Sequence, residues 1–248
     1  MSKTILVTGG SRGIGRAVAI LAGKRGWSVA FTYLSNDTAA RETVAAIETA
    51  GGKGLAIKAD AAKLEDVAMA FDATEKAFGP VDGFVNNAGI GTQAGKLADK
   101  APQEIARLVD VNVLGALYGA REAARRMSRS RGGKGGAIVN MSSAAARLGM
   151  PGEGVDYAAT KGAMDTLTYG LSKELGPDGV RVNAIRPGLI ATEIHAAMGA
   201  PGRAERLGQS VPIGRAGSAE EVAEATVWLL SDEASYVAGA VLDVTGGR

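Results

Sequence analysis

Residues 8–15 read Thr8-Gly9-Gly10-Ser11-Arg12-Gly13-Ile14-Gly15. They join an apolar strand pattern, Thr4–Thr8, to a helical pattern, Ile14–Lys24, that places Ile14, Val18 and Leu21 on one face. Glycine has no Cβ, so a chain built from it can turn sharply and approach a ligand closely. The helix that follows offers free N–H groups and the positive end of its dipole. Gly9, Gly13 and Gly15, with Ser11, Arg12 and Ile14 between and around them, therefore fit the pyrophosphate of a dinucleotide. Their spacing, G-x-x-x-G-x-G, differs from the common G-x-G-x-x-G arrangement. A plain structural turn is the other reading of such a loop taken alone.

Outward from this junction, short apolar runs alternate with longer helical patterns. The strand candidates are Thr4–Thr8, Ser28–Tyr33, Gly54–Lys58, Gly83–Asn86, Ala137–Met141, Arg181–Ile185 and Val241–Asp243. Successive apolar positions mark strands buried on both faces, as in a parallel sheet. The helix candidates are Ile14–Lys24, Thr38–Ala50, Leu64–Phe78, Asn112–Ser128, Val155–Leu175 and Ala219–Leu230, the last with Ser218 as N-cap. The alternation implies right-handed crossovers and a doubly wound α/β sheet. No repeat or linker divides the chain, so residues 1–248 are expected to form one domain. The basic stretch Arg129–Gly136 reads as a solvated turn before the Ala137 strand.

Composition narrows the function classes. The chain has no cysteine, which excludes disulfides, redox CxxC pairs and thiolate zinc sites. It has one histidine, His195, and no carboxylate cluster with ligand spacing, so no metal is expected. The net charge of +2 demands neither nucleic acid nor an anionic membrane as partner. No signal-peptide pattern follows Met1, and no apolar run approaches the ~20 residues of a membrane span. A cytoplasmic enzyme acting on a small molecule is the expectation.

The kind of dinucleotide is a question of charge. An NAD site usually places a carboxylate at the end of the second strand, where it binds the ribose 2′-hydroxyl and would repel a 2′-phosphate. Here that strand ends Phe31-Thr32-Tyr33-Leu34-Ser35-Asn36, with no acid at its tip. Ser35 and Asn36 can donate hydrogen bonds beside Tyr33, and Arg12 adds a positive charge. The cofactor is expected to be NADP(H), with NAD(H) as the alternative. Asp37 is the counter-indication, and its other role is to cap the helix starting near Thr38.

Tyr157 and Lys161 stand four residues apart, which puts both on one face of a helix. The small Ala158-Ala159-Thr160 and Gly162-Ala163 around them let that face lie close to a cofactor. Hydride transfer to a carbonyl leaves an alkoxide that needs a proton, and the reverse reaction must remove one. A free tyrosine has a pKa of ~10, and a nearby cation should lower it. An ordinary exposed Tyr/Lys pair is the bland reading.

Taken together, Thr8–Gly15, Asp60, Asn86-Asn87-Ala88-Gly89, Asn112, Ser142-Ser143, Tyr157-x-x-x-Lys161 and Pro187-Gly188 with Thr192 resemble a short-chain dehydrogenase/reductase over essentially the whole chain. Within that family the similarity is to bacterial 3-oxoacyl-carrier-protein reductases and glucose dehydrogenases. The resemblance implies a Rossmann fold with a seven-stranded parallel sheet ordered 3-2-1-4-5-6-7, usually in a homotetramer. It implies a relay of Ser143, Tyr157, Lys161 and Asn112. Ser143 would hydrogen-bond the substrate oxygen, Tyr157 would exchange the proton, and Lys161 would bind the nicotinamide ribose. Asn112 would hold a water on the proton path, a plain N-cap being its other reading. Asp60 would meet the adenine amino group with Ala61 beside it. Asn86, Ala88 and Gly89 would line the adenosine ribose, with Asn87 in the same cofactor-binding turn. Pro187, Gly188, Ile190 and Thr192 would lie against the nicotinamide, Ile190 and Thr192 meeting its carboxamide.

The implied activity is interconversion of a ketone or aldehyde with an alcohol. A non-catalytic dinucleotide-binding protein is the alternative of another class. The substrate lining is expected from Ile90, Gly91, Thr92, Gln93, Ala144, Ala145, Arg147, Glu153, Leu189, Ile194 and Met198. Glu153 and Asp156 would make the border over Pro151–Asp156 acidic. Residues 193–212, rich in Ala and Gly, read as a lid, with His195 as a possible substrate contact.

Overall fold

A computed structural model describes residues 2–193, 198–199 and 202–248, apart from the Glu205 side chain. Strands β1 (Thr4–Val7), β2 (Ser28–Tyr33), β3 (Lys53–Lys58), β4 (Gly83–Asn86), β5 (Gly136–Met141), β6 (Val180–Pro187) and β7 (Val241–Val244) form one sheet. Its order is β3-β2-β1-β4-β5-β6-β7, and every neighbouring pair is parallel. This is the strand order that the family resemblance implied, and the doubly wound arrangement that the strand–helix alternation implied. The central strands β1 and β4 are buried at every position, which is why they read as unbroken apolar runs.

Helices cover both faces. On one side lie α1 (Gly13–Lys24), α2 (Asp37–Thr49) and α9 (Ala219–Leu230), whose Val18, Ile47, Val222 and Val227 pack with Val29, Phe31, Val139 and Ile185. On the other lie α3 (Leu64–Phe78), α5 (Gly115–Met127) and α7 (Val155–Leu175), with Phe71, Ala123, Met127 and Leu175 against Leu6, Phe84 and Ile138. The Phe71 and Phe84 rings meet at 5.1 Å between centroids. Each such fully buried side chain stabilises the fold by ~1.5–3 kcal/mol.

The structure changes some expected boundaries. The helix expected to start at Asn112 begins ten residues earlier, as α4 (Pro102–Val109), with Pro102 in its first turn. It passes through a wide, π-type turn at Asp110–Leu114 into α5. Asn112 is therefore inside a helix and not its N-cap. Helix α2 is capped by Asn36, whose Oδ1 accepts from Ala39 N at 3.0 Å, so Asp37 is the first helical residue and not the cap. Helix α9 starts with the Ser218–Glu221 capping box. Short helices α6 (Ala145–Leu148) and α8 (Arg203–Gly208) were not anticipated. The basic segment after α5 is a turn leading into β5, with Ser130 N and Oγ donating to Asp178.

Parallel order sends the carboxyl ends of β1, β4, β5 and β6 to one edge. The loops after them meet there, where ligands bind in sheets of this kind.

Candidate active site

The glycine loop is fixed from two sides. Gly9 and Gly10 donate through their N–H groups to Thr32 Oγ1 and Thr32 O, at 3.1 and 2.9 Å. Asn87 Nδ2 donates to Thr8 O and Gly9 O, at 2.8 and 3.1 Å. Thr8 Oγ1 accepts from the N–H groups of Asn87 and Ala88, both at 2.9 Å. Gly9 needs its left-handed φ of 69°. At Gly15 the constraint is space, because a Cβ would come within 2.3 Å of Gly9 O.

Arg12 is the N-cap of α1 but makes no side-chain cap, and no acid occupies the first turn of that helix. Neither a cap side chain nor a first-turn acid of α1 competes for its first N–H groups among the described residues, and their electrostatics suit an anion. Ser11, Arg12, Gly13, Ile14 and Gly15 all lie at this end. The loop fits a dinucleotide pyrophosphate by that observation.

At the end of β2, Tyr33 is half-buried while Ser35 and Asn36 are exposed. Asp37 stands 3.7 Å from Lys58 Nζ. Hydrogen bonding to Asp37 also raises the pKa of the Tyr33 hydroxyl above the ordinary phenol value. Arg12 is exposed, and no ion pair engages it among the described residues.

Asp60 follows β3. Its Oδ1 accepts from Ala62 N at 3.0 Å, and its Oδ2 stands 3.6 Å from Arg107 Nη2. Ala61 is beside it, with its carbonyl against Gly115. Asn86 departs from expectation. It is only 5% exposed, and its Nδ2 donates to Ala116 O and Asn140 Oδ1, inside the protein and not in a ribose groove. Its neighbours Asn87, Ala88 and Gly89 carry the chain to the carboxyl edge.

Asn112, Ser143, Tyr157 and Lys161 come together there. The π-type turn presents Asn112, which brackets one residue of the β4 loop: Oδ1 accepts from Ile90 N at 2.8 Å and Nδ2 donates to Ile90 O at 2.9 Å. Nδ2 also reaches Thr160 Oγ1 at 3.2 Å. The two serines after β5 separate clearly. Ser142 is buried, and its hydroxyl donates to Lys161 O at 3.0 Å. Ser143 Oγ accepts from Ala145 N at 3.1 Å and faces Tyr157.

Lys161 is 6% exposed, and its Nζ donates to Met141 O at 2.8 Å. Burial pushes its pKa down to about 8, against the opposing pull of Asp165 one helical turn further on. The ammonium lies 5.7 Å above the centre of the Tyr157 ring. Burial raises the Tyr157 pKa above the ordinary phenol value, and the hydrogen bond to Ser143 opposes the rise. The expectation that the lysine would depress this phenol's pKa is thus reversed in the protein alone. Desolvation outweighs the serine, and the cation sits over the ring face.

The loop after β6 closes the cleft. Pro187 O accepts from Ala144 N at 2.9 Å, and Gly188 N donates to Val244 O at 2.9 Å. Ile190 bridges to Gly217. Thr192 comes near the glycine loop, its Cγ2 lying 3.7 Å from where a Gly13 Cβ would be. Ile194 and His195 lie outside the described residues. Within the expected lid, α8 packs Ala204 and Leu207 with Leu189 and Val211.

The expected lining holds fewer free charges than its sequence suggests. Arg147 pairs with Asp243 at 3.2 Å and Glu153 with Arg203 at 2.5 Å, while Asp156 is buried beside Lys100. The acidic border is therefore neutralised. Sequence reasoning missed Lys100, Asp165 and Arg203, which reach the site through the fold. Among the described residues no group of three or more His, Asp or Glu could hold a metal, and no helix is long and apolar enough to cross a membrane.

A sequence profile described as enoyl-(acyl carrier protein) reductase matches residues 9–248. The chain is 50% identical over 243 residues to an oxidoreductase of Escherichia coli K12, YgfF, covering 98% of each chain. It is 43% identical over 249 residues to 3β-hydroxysteroid dehydrogenase 1 of Eggerthella lenta, covering 99% of this chain and 93% of that one. The crystal structure of 3-ketoacyl-(acyl-carrier-protein) reductase from Brucella melitensis complexed with NADH superposes with a TM-score of 0.90. Its sequence is 33% identical, and the match covers 99% of this chain and 98% of that one.

Proposed function

The chain belongs to the short-chain dehydrogenase/reductase family of oxidoreductases, and on that premise we propose that it interconverts a ketone or aldehyde with an alcohol using NADP(H), with Tyr157 as proton donor and acceptor. The observation that carries this reading is the meeting of Tyr157, Ser143 and Lys161 at the sheet edge that also holds the open N-terminus of α1.

The cofactor, when bound, supplies or accepts the hydride. The rest is the work of this chain's residues. Gly9, Gly13, Gly15 and the first turn of α1 would hold the pyrophosphate, with Asp60, Ala61 and Asn87–Gly89 on the adenosine side and Pro187, Gly188, Ile190 and Thr192 on the nicotinamide side. Ser143 and Tyr157 hydrogen-bond the substrate oxygen and stabilise the charge that develops on it. A phenol with a raised pKa holds its proton at neutral pH, so it starts in the protonated form that donation to an alkoxide requires. Lys161 would hold the ribose hydroxyls when the cofactor is bound and return a proton to Tyr157. Asn112, which brackets Ile90 and touches Thr160, would hold the water through which Lys161 is reprotonated.

Arg12 supports the phosphorylated cofactor, being exposed with no counter-ion among the described residues. Asp37 is balanced by Lys58, so its charge opposes a 2′-phosphate less than the sequence alone suggests. A second reading, NAD(H), draws on the same Asp37 and on the NADH bound in the Brucella relative.

Because the charged residues around the expected lining are paired, an uncharged carbonyl compound fits best. We read the whole chain, residues 1–248, as one cytoplasmic domain with residues 193–212 as its lid. We also propose that the chain self-associates as a homotetramer, with the exposed apolar residues Leu117, Val155, Trp228 and Tyr236 as candidates for its contacts. The test is a panel of ketones, aldehydes, sugars and acyl thioesters followed by NADPH absorbance. Turnover of at least one carbonyl compound is expected, and none across the panel would refute the reading.

A further inference from the structure

Asp156 directly precedes Tyr157, and its side chain is only 3% exposed. Its Oδ2 accepts from Thr92 Oγ1 at 2.7 Å and stands 4.0 Å from Lys100 Nζ. Lys100 Nζ donates to the same Thr92 oxygen at 2.9 Å, and the lysine side chain is 5% exposed. The other carboxylate oxygen, Oδ1, is buried and has no partner. Two opposite charges are thus enclosed together, with one hydroxyl between them.

Enclosed ion pairs are weak sources of stability, because desolvation offsets their attraction, but they can fix one arrangement of the chain among several. Here the arrangement involves two segments far apart in sequence. Thr92 and Lys100 belong to the stretch after β4, and Asp156 belongs to the first turn of α7. Nearby contacts join the same two walls. Gly95 N donates to Glu153 O at 3.1 Å, and Gly154 leaves room for the Thr92 methyl.

We propose that Asp156, Thr92 and Lys100 form a lock that seats residues 90–100 against the first turn of α7, fixing the substrate-side wall beside Tyr157 and so selecting which carbonyl compounds reach its hydroxyl. The inference rests on the carbonyl-reduction reading for its effect on substrates, but not for the lock itself. Asp156 and Lys100 act as positioning residues: they touch the wall and not the reacting atoms.

Three variants test it: Lys100→Met, Asp156→Asn and the double variant. Each single change strands one enclosed charge, whereas the double change strands none. In each single variant, hydrogen exchange of the amides over 90–100 should speed up about tenfold. The KM for the best carbonyl substrate should rise about tenfold, with the NADPH Kd held within about twofold. The double variant should return exchange and KM to within about threefold of the parent. Unchanged exchange over 90–100 in the single variants overturns the lock, as does a double variant with simply additive defects. Faster exchange with unchanged KM overturns its role in substrate choice. If the parent reduces no carbonyl compound, the carbonyl-reduction reading falls separately, and the exchange rates still decide whether the lock holds.

Discussion

Replacing Gly15 with alanine should damage both cofactor binding and stability, and the structure sets the scale. The new Cβ would lie 2.3 Å from Gly9 O and 2.6 Å from Asn87 Nδ2. Ordinary contact requires the loop to yield by about 1 Å. Forcing a carbon into a filled site costs ~1–3 kcal/mol. The shift also strains the two hydrogen bonds from Asn87 Nδ2 to Thr8 O and Gly9 O, each contributing ~0.5–1.5 kcal/mol. A loss of ~2 kcal/mol in affinity is a roughly 30-fold rise in Kd. The same loss in stability lowers Tm by ~4–8 °C in a chain of this size. Titration of NADPH by fluorescence reads the first, and a circular-dichroism melt reads the second. A variant with an NADPH Kd within about twofold of the parent and an unshifted Tm would refute the claim that this loop is packed to hold the cofactor.

Three further outcomes follow from the same geometry. Reduction needs Lys161 protonated, and its pKa is about 8. The contribution is therefore present below that pH and lost above it: kcat/KM should fall roughly tenfold per pH unit in the alkaline range, and a profile flat to about pH 10 would contradict it. Arg12→Gln should raise the KM for NADPH about tenfold or more while barely changing that for NADH, and equal effects would overturn the NADP(H) assignment. Ser218→Ala removes the α9 cap and should cost about 1 kcal/mol, read as a Tm lower by ~2–4 °C with turnover unchanged; an unshifted Tm would show that the cap contributes nothing.

The sheet was legible because β1, β2 and β4 are apolar at successive positions, a pattern that burial on both faces imposes. Tyr157 and Lys161 were legible because one regular helix sets their separation. Other features could not be read in this way. The π-type turn at Asp110–Leu114 shifts the phase of the apolar stripe, so the Ile105 and Leu108 pattern does not continue into α5 at a period of 3.6 residues. Helix α8 is too short to show any period.

Asn36 and Asp37 are both good caps, and only the backbone shows which one accepts from the third residue on. Asn86 and Asn87 are likewise adjacent and alike, yet a strand end turns one inward and the other onto the glycine loop. The Thr92–Lys100–Asp156 cluster joins polar residues from separate segments, and the sequence carries no signal that they meet. The sign of the Tyr157 shift was missed for a related reason. Helical spacing brings a cation near, but burial and the ring-face position of that cation are tertiary facts.

The most direct measurement is the comparison of Tyr157→Phe with the parent, binding and turnover read separately. The account predicts NADPH affinity close to the parent's and carbonyl reduction slower by ~10²–10⁴-fold, because only the proton-bearing oxygen is removed. Reduction at the parental rate by this variant would contradict it.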